Sequence, residues 1–415
     1  MWTVFLLCGL CLMMDGFDLQ AIGFVAPALV RDWKIPSSSM GPVFSAALVG
    51  VLIGSLLFSM LADKIGRRPV LIGVTIYFSA LTFLTARVDT VSQLLAIRFL
   101  AGLGLGAIMP NAMALVGEFS PARSRVTAMM IVSNGFTAGA AFGGPIAAWI
   151  IPRYGWRGVF YFGSVTPLIV AVLMIFLLPE SRQFLALRGK DRQKTRGVPL
   201  LQLFADRRAL GTALLWAVNF LNLLNLFLLS NWLPTVVRDA GYSNTIAVNS
   251  AAVFQLGGFV GTLVMGLFIR RLGFPAVLSA CFAIGCLSVA AIGQPYLSLA
   301  ILFAFIFTAG IGIPGSQAGL NAFSATYYPT DLRATGVGAG LGIGRVGAIV
   351  GPLIAGILLK RHWTNSELFI AAALPALISA VLMFSLRGAI APSATAATNA
   401  TNKNEEQFVF ENRSL

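Results

Sequence analysis

The chain has 415 residues, 57% hydrophobic and only 11% charged, with 29 Lys+Arg, 15 Asp+Glu and a formal net charge of +14. A soluble domain carries roughly 25% charged residues to coat its surface, so a soluble enzyme, a disordered chain and a disulfide scaffold are excluded. What remains is a polytopic membrane protein.

Crossing about 30 Å of hydrocarbon takes roughly 20 residues at 1.5 Å each. Twelve apolar runs meet that length, near 2–29, 40–62, 69–87, 92–118, 124–151, 157–178, 209–235, 245–269, 274–294, 296–327, 334–360 and 365–387. The first starts at Met1 without the basic segment or cleavage site of a signal peptide. Its Cys8 and Cys11 read as small apolar filler. Asp15 and Asp18 lie near its middle, three apart and so on one helix face. Carboxylates at that depth are costly, so they are expected to line a cavity, where an acid can take a proton from one side and release it to the other. Asp63, Arg67 and Arg68 follow the second run. The fourth contains Arg98 and Asn111, and Glu118 ends it. The stretch 179–208 carries eight basic residues and reads as a cytoplasmic linker near anionic lipid. Asn219, Asn222 and Asn225 lie in the seventh run, Gln255 in the eighth, and Gln317, Asn321 and Phe323 in the tenth. Arg345 sits mid-run in the eleventh, amid Gly340, Gly342, Gly344 and Gly347. The tail 388–415 has the composition of a disordered segment.

With the N-terminus placed in the cytoplasm, 19 of the 29 basic residues fall on inner segments and 8 on outer loops. This bias puts both termini inside. The two halves also repeat. Pro27 to Asp32 matches Pro234 to Asp239, Gly144-Pro145 matches Gly351-Pro352, and Arg125 with Thr127 matches Arg333 with Thr335, at offsets of 207 or 208. The expected organisation is an N-terminal six-helix bundle (1–178), the basic linker (179–208), a C-terminal six-helix bundle (209–387) and the tail (388–415). A site is then expected at the interface between bundles, near the midplane.

A duplicated scaffold keeps its packing residues, so function is sought where the halves differ. Asp15 and Asp18 map onto Asn222 and Asn225, Arg98 maps close to Phe305, and Arg345 maps to Ala138. Two acids against Arg98 leave one unpaired, and proton coupling is assigned to the pair. A planar guanidinium at Arg345 suits bidentate capture of a carboxylate; a salt bridge to either Asp and bonds to helix carbonyls are the competing readings. Arg98 partners Asp18 or binds substrate. Asn111, Asn222, Asn225, Gln255, Gln317 and Asn321 face the cavity or bond between helices. Phe24 and Phe323 are candidates to stack a ring, with packing as the alternative. Asp63, Arg67, Arg68, Glu118, Arg125 and Arg333 form an inner-gate ion network or a set of ordinary exposed pairs.

The octapeptide Leu61-Ala62-Asp63-Lys64-Ile65-Gly66-Arg67-Arg68 resembles the loop signature of the major facilitator superfamily, although Ser59 stands where that signature usually opens with Gly. Three stretches look like its aromatic acid:proton symporter family. They are Asp15-Gly16-Phe17-Asp18, the segment from Arg98 to Pro110-Asn111, and the segment from Tyr328-Pro329 to Gly342-Ile343-Gly344-Arg345. The resemblance implies an all-α membrane protein of twelve transmembrane helices in two pseudo-symmetric six-helix bundles. It implies a monomer in a bacterial inner membrane, importing benzoate-, hydroxybenzoate-, phenylpropionate- or phenoxyacetate-like carboxylates with protons by alternating access. The alternatives are a proton-driven exporter, a symporter of a non-aromatic acid, and a transporter-like receptor. No cofactor, metal or nucleic acid is called for. The sequence has no Gly-Lys-Ser/Thr phosphate loop, no His cluster and no Gly-x-Ser-x-Gly elbow, so no enzymatic activity is expected. In the second half Arg270 stands where Asp63 stands in the first, so an asymmetric inner gate is expected.

Overall fold

A computed structural model describes residues 1–121, 125–181, 200–205, 208–294, 297–328 and 332–386. Most of the basic linker and the whole tail lie outside these residues, as do the side chains of Asp63 and Arg333.

Among the described residues, eleven helical stretches are long and apolar enough to cross a membrane. One contains two crossings. Arg125–Leu177 is assigned as a single helix of 53 residues, which at 1.5 Å per residue would run about 80 Å, far more than the hydrocarbon thickness. Gly155 breaks it, with φ 71 and ψ 178, a conformation that L side chains rarely adopt. The chain reverses there, and the count becomes twelve spans. The others are Trp2–Trp33, Met40–Ile65, Arg67–Thr85, Val91–Phe119, Ala209–Asp239, Asn244–Leu272, Phe274–Ile292, Arg333–Lys360 and Asn365–Leu386, together with a tenth span in two pieces.

The helices outrun the apolar runs at several ends because the backbone ladder continues into the polar interface. The first reaches Trp33 and closes on Lys34, left-handed at φ 54, whose N–H donates to the Val30 carbonyl. The tenth span breaks at Ile313 into Leu299–Gly312 and Pro314–Tyr327. Pro314 brings no N–H to the ladder and its ring crowds the preceding turn.

The packing repeats with the sequence. A Cβ on Gly50 would overlap the Phe99 carbonyl, and one on Gly102 the Ala47 carbonyl, so spans two and four touch through their backbones. Gly257 and Gly310 make the same approach between spans eight and ten, against the Phe307 and Phe254 carbonyls. Spans one and five meet in this way at Gly16 and Gly139, and spans seven and eleven at Gly347 and Gly351. Small residues allow such crossings in lipid, where no hydrophobic drive separates helix from solvent.

The halves meet chiefly through spans one and seven, two and eleven, and five and eight. The close approaches lie toward the ends expected to face outward: Gly23 on Ser230 and Asn231, Gly41 on Pro352 and Gly356, and Gly144 on Ala252. Phe24, Leu29, Phe44, Leu229, Trp232 and Val236 are buried together there. Trp232 meets Phe44 edge-on at 5.3 Å and donates its Nε1–H to the Pro352 carbonyl at 3.1 Å. On the inner stretch of span eleven, Gly338 and Gly342 face open space. Among the described residues, these close approaches between the halves thus gather at one end of the seam.

Candidate functional site

The site is built from the middles of spans one, two, four, seven, ten and eleven. Gly16 and Gly139 let span one lie against span five, which fixes the rotation of span one and aims its acids. The two acids then diverge. Asp18 is fully buried, as is Arg98. Arg98 Nη2 lies 3.0 Å from Asp18 Oδ2 and donates to the Asp18 backbone carbonyl at 3.1 Å. Thr82 Oγ1 donates to Asp18 Oδ1 at 2.7 Å. This knot joins spans one, three and four within the first half, and among the described residues it leaves Nε and Nη1 of Arg98 without partners.

Asp15 is 5% exposed, and among the described residues no hydrogen bond or ion pair reaches its side chain. Its electrostatic neighbours are Asp18 and, from the other half, Arg345. Arg345 is half-buried, and its Nη1 donates to the Val51 carbonyl of span two at 3.3 Å. Guanidinium has five donors, and this carbonyl takes one. Of the three readings open for Arg345, the carbonyl bond is present but crosses to the other half, and no salt bridge to either acid forms. One turn further out, Ser45 donates to the Ile349 carbonyl at 2.7 Å and ties the same two spans together.

The second half fills the corresponding space with amides. Asn222 Nδ2 donates to Gln317 Oε1 at 2.8 Å, and Gln317 Nε2 donates to Asn219 Oδ1 at 3.2 Å and Asn321 Oδ1 at 3.1 Å. Among the described residues, Asn222 Oδ1 and both polar atoms of Asn225 are buried without partners. The other sequence candidates are not gathered here. Asn111 bonds its own helix at the Ala107 carbonyl, 2.8 Å away. Gln255 reaches Ser230 Oγ at 3.5 Å. Phe24 packs in the closed outer core against Gly143. Phe323 stacks on Phe274, with centroids 5.5 Å apart, in a cluster internal to the second half.

At the inner end Arg67 pairs with Glu118, and Arg68 Nη2 donates to the Ile175 carbonyl. Arg125 is exposed. The sequence reading passed over Glu180, which closes this assembly. Its Oε1 accepts the backbone N–H groups of Arg67 and Arg68, both at 3.1 Å, at the N-terminus of span three, and that of Ser181 at 2.7 Å. Ser181 Oγ in turn donates to Glu118 Oε2 at 2.7 Å. A carboxylate at a helix N-terminus satisfies orphan donors and complements the dipole. The available signal was an acid placed directly after the sixth apolar run. Thr82 was missed because a lone Thr in a span carries no pattern.

The sequence matches the Major Facilitator Superfamily over residues 8–340 and 215–412. It is 38% identical to the gallate transporter of Pseudomonas putida, over 92% of this chain and 90% of the relative. It is 36% identical to the 4-hydroxybenzoate transporter PcaK of Acinetobacter baylyi, again over 92% and 90%. It is 35% identical to the 3-(3-hydroxy-phenyl)propionate transporter of Escherichia coli, over 94% and 96%. The fold superposes on the crystal structure of a D-xylose-proton symporter with a TM-score of 0.75 at 16% identity, covering 92% of this chain and 97% of that one. The chain belongs to the major facilitator superfamily and is a transporter rather than an enzyme.

Proposed function

We propose that this member of the major facilitator superfamily imports a small aromatic carboxylate together with protons, by alternating access, with both termini on the cytoplasmic side of a bacterial inner membrane. The reading is carried by the arrangement of Asp15, buried with no hydrogen bond or ion pair among the described residues, and Arg345 of the other half, which spends one donor on the Val51 carbonyl and lies within electrostatic range of that acid without bonding it. The named substrates of the relatives, gallate and 4-hydroxybenzoate, are aromatic acids that such a guanidinium can hold by the carboxylate.

Coupling follows from charge balance. With the site empty, Arg345 is the counter-charge within reach of Asp15. A substrate carboxylate that takes Arg345 leaves Asp15 ionised without compensation in a low-dielectric interior, which is expensive. A proton on Asp15 removes that cost, so anion and proton enter together. Asp18 is given the structural part, because Arg98 lies against one of its carboxylate oxygens and Thr82 donates to the other. The halves then rock about the seam, and the outer closure around Trp232 opens as the inner ends meet. The assembly of Arg67, Glu118 and Glu180 keeps the inner end of the first half rigid for that contact, and Asp63, Arg125 and Arg333 complete the gate.

Uptake into proteoliposomes of labelled benzoate, 4-hydroxybenzoate, 3-phenylpropionate and succinate, with and without an imposed proton gradient, tests the reading. Accumulation of the aromatic acids that collapses with protonophore is expected. Accumulation of succinate alone, or gradient-driven efflux, would establish the non-aromatic or exporter alternative instead.

A further inference from the structure

Within the proposed aromatic-acid site, we infer that the amide cluster centred on Gln317 reads a hydroxyl group on the substrate ring and selects hydroxylated aromatic acids over bare ones. The cluster joins spans seven and ten, with Gln317 as the hub for Asn219, Asn222 and Asn321. Polar side chains in a span face lipid only at a cost, and these satisfy one another incompletely. Gln317 and Asn321 are partly accessible, while Asn222 beside them is 2% exposed. Partial access in mid-span, next to buried amides, is what side chains lining a polar cavity would show, since facing lipid would leave their polar groups unsatisfied.

The hydrogen-bond inventory specifies what is missing. Asn222 Oδ1 is buried and has no hydrogen-bond partner among the described residues, so the cluster contains an acceptor that lacks a donor. Asn321 spends its Oδ1 on Gln317 and keeps an Nδ2 for which no partner is found among the described residues, so it presents a donor. A phenolic hydroxyl is donor and acceptor at once. A carboxylate can only accept, and it would leave Asn222 Oδ1 unpaired. The two ends of the substrate are therefore told apart by chemistry. Arg345, in span eleven, takes the carboxylate. The amides, in spans seven and ten, take the ring hydroxyl. A site built to bond a hydroxyl disfavours the analogue lacking it, because its buried polar groups then stay unpaired.

Binding of 4-hydroxybenzoate and benzoate to the purified full-length protein, with uptake of both, tests the assignment. The wild type should favour 4-hydroxybenzoate by about tenfold, the scale of one buried hydrogen bond. Gln317→Met removes the hub with little change of volume and should bring the ratio of the two affinities to near unity. Asn321→Ala, at a partly exposed position, should move the ratio in the same direction by less. A lowered affinity for both acids with the ratio preserved in both variants would overturn the assignment while leaving aromatic-acid transport standing. A wild type that binds neither acid, or that prefers benzoate, would overturn the assignment as well, the former together with the aromatic reading itself. If Gln317→Met fails to yield a monodisperse protein, the ratio in Asn321→Ala decides alone.

Discussion

At positions 207 residues apart, span one carries Asp15 and Asp18, and span seven carries Asn222 and Asn225. The backbones around them are treated alike. Spans one and five cross through Gly16 and Gly139, and spans seven and eleven through Gly347 and Gly351. The polar interiors are not. The first half holds a fully buried Asp18–Arg98 pair braced by Thr82, whereas Phe305 stands close to the place of Arg98 in the second. The inner loops part company in the same way. Gly66 and Gly273 both have positive φ, but the helix after Gly66 is capped by Glu180, while the helix after Gly273 starts at Phe274 with Pro275 in its first turn and no side-chain cap among the described residues. Duplication thus preserved the contacts that need only small residues. It divided the polar groups: two acids and Arg98 lie within the spans of the first half, and Arg345 with the amides within those of the second.

The largest expected effect comes from breaking the charged knot. Asp18→Asn strands a buried guanidinium and should cost about 3–5 kcal/mol of stability, with transport lost. Thermal unfolding in detergent measures it. Asp18→Asn combined with Arg98→Phe writes the second half's residues into the first and should recover most of the melting temperature, and transport with it. A double variant as unstable as the single one would show that the pair is not what the fold needs.

Asp15→Asn should leave melting unchanged and reduce accumulation to the passive level, while substrate exchange across the membrane persists. The contrast with Asp18→Asn is the sharpest check on the division between the acids. A large loss of stability would place Asp15 in packing, and retained gradient-driven uptake would remove it from proton coupling.

Arg345→Lys keeps the charge and loses the planar fork, and should weaken carboxylate binding about tenfold or more. Calorimetry on the purified protein gives the number. Unchanged affinity would confine Arg345 to its bond with the Val51 carbonyl.

The inner gate gives the smallest effects. Asp63→Asn should slow turnover with affinity intact, since the cavity residues are untouched. Glu180→Ala should cost about 1 kcal/mol, the scale of a lost helix cap, and slow turnover less. Arg270→Asp in the second half should be tolerated. Equal damage from Arg270→Asp and Asp63→Asn in transport assays would show that the gate is symmetric.

The sequence by itself determined the membrane class, the twelve spans, the duplication and the presence of two acids and two arginines inside it. Each rests on composition or spacing, which a bilayer reads directly: hydrocarbon thickness sets run length, the cost of buried charge makes every intramembrane ion conspicuous, and glycine spacing records where helices must touch. Only the tertiary structure decided which acid is spoken for. Asp15 and Asp18 share a helix face and are alike in sequence. What separates them is that Arg98 and Thr82, about 80 and 64 residues away along the chain, arrive at Asp18 and not at Asp15. In the same way Gln317 gathered three of the amides, while Asn111 turned back on its own helix and Phe24 and Phe323 went into packing. A hydrogen-bond partner is chosen by distances of about 3 Å between helices far apart in the chain, and no local pattern encodes that choice.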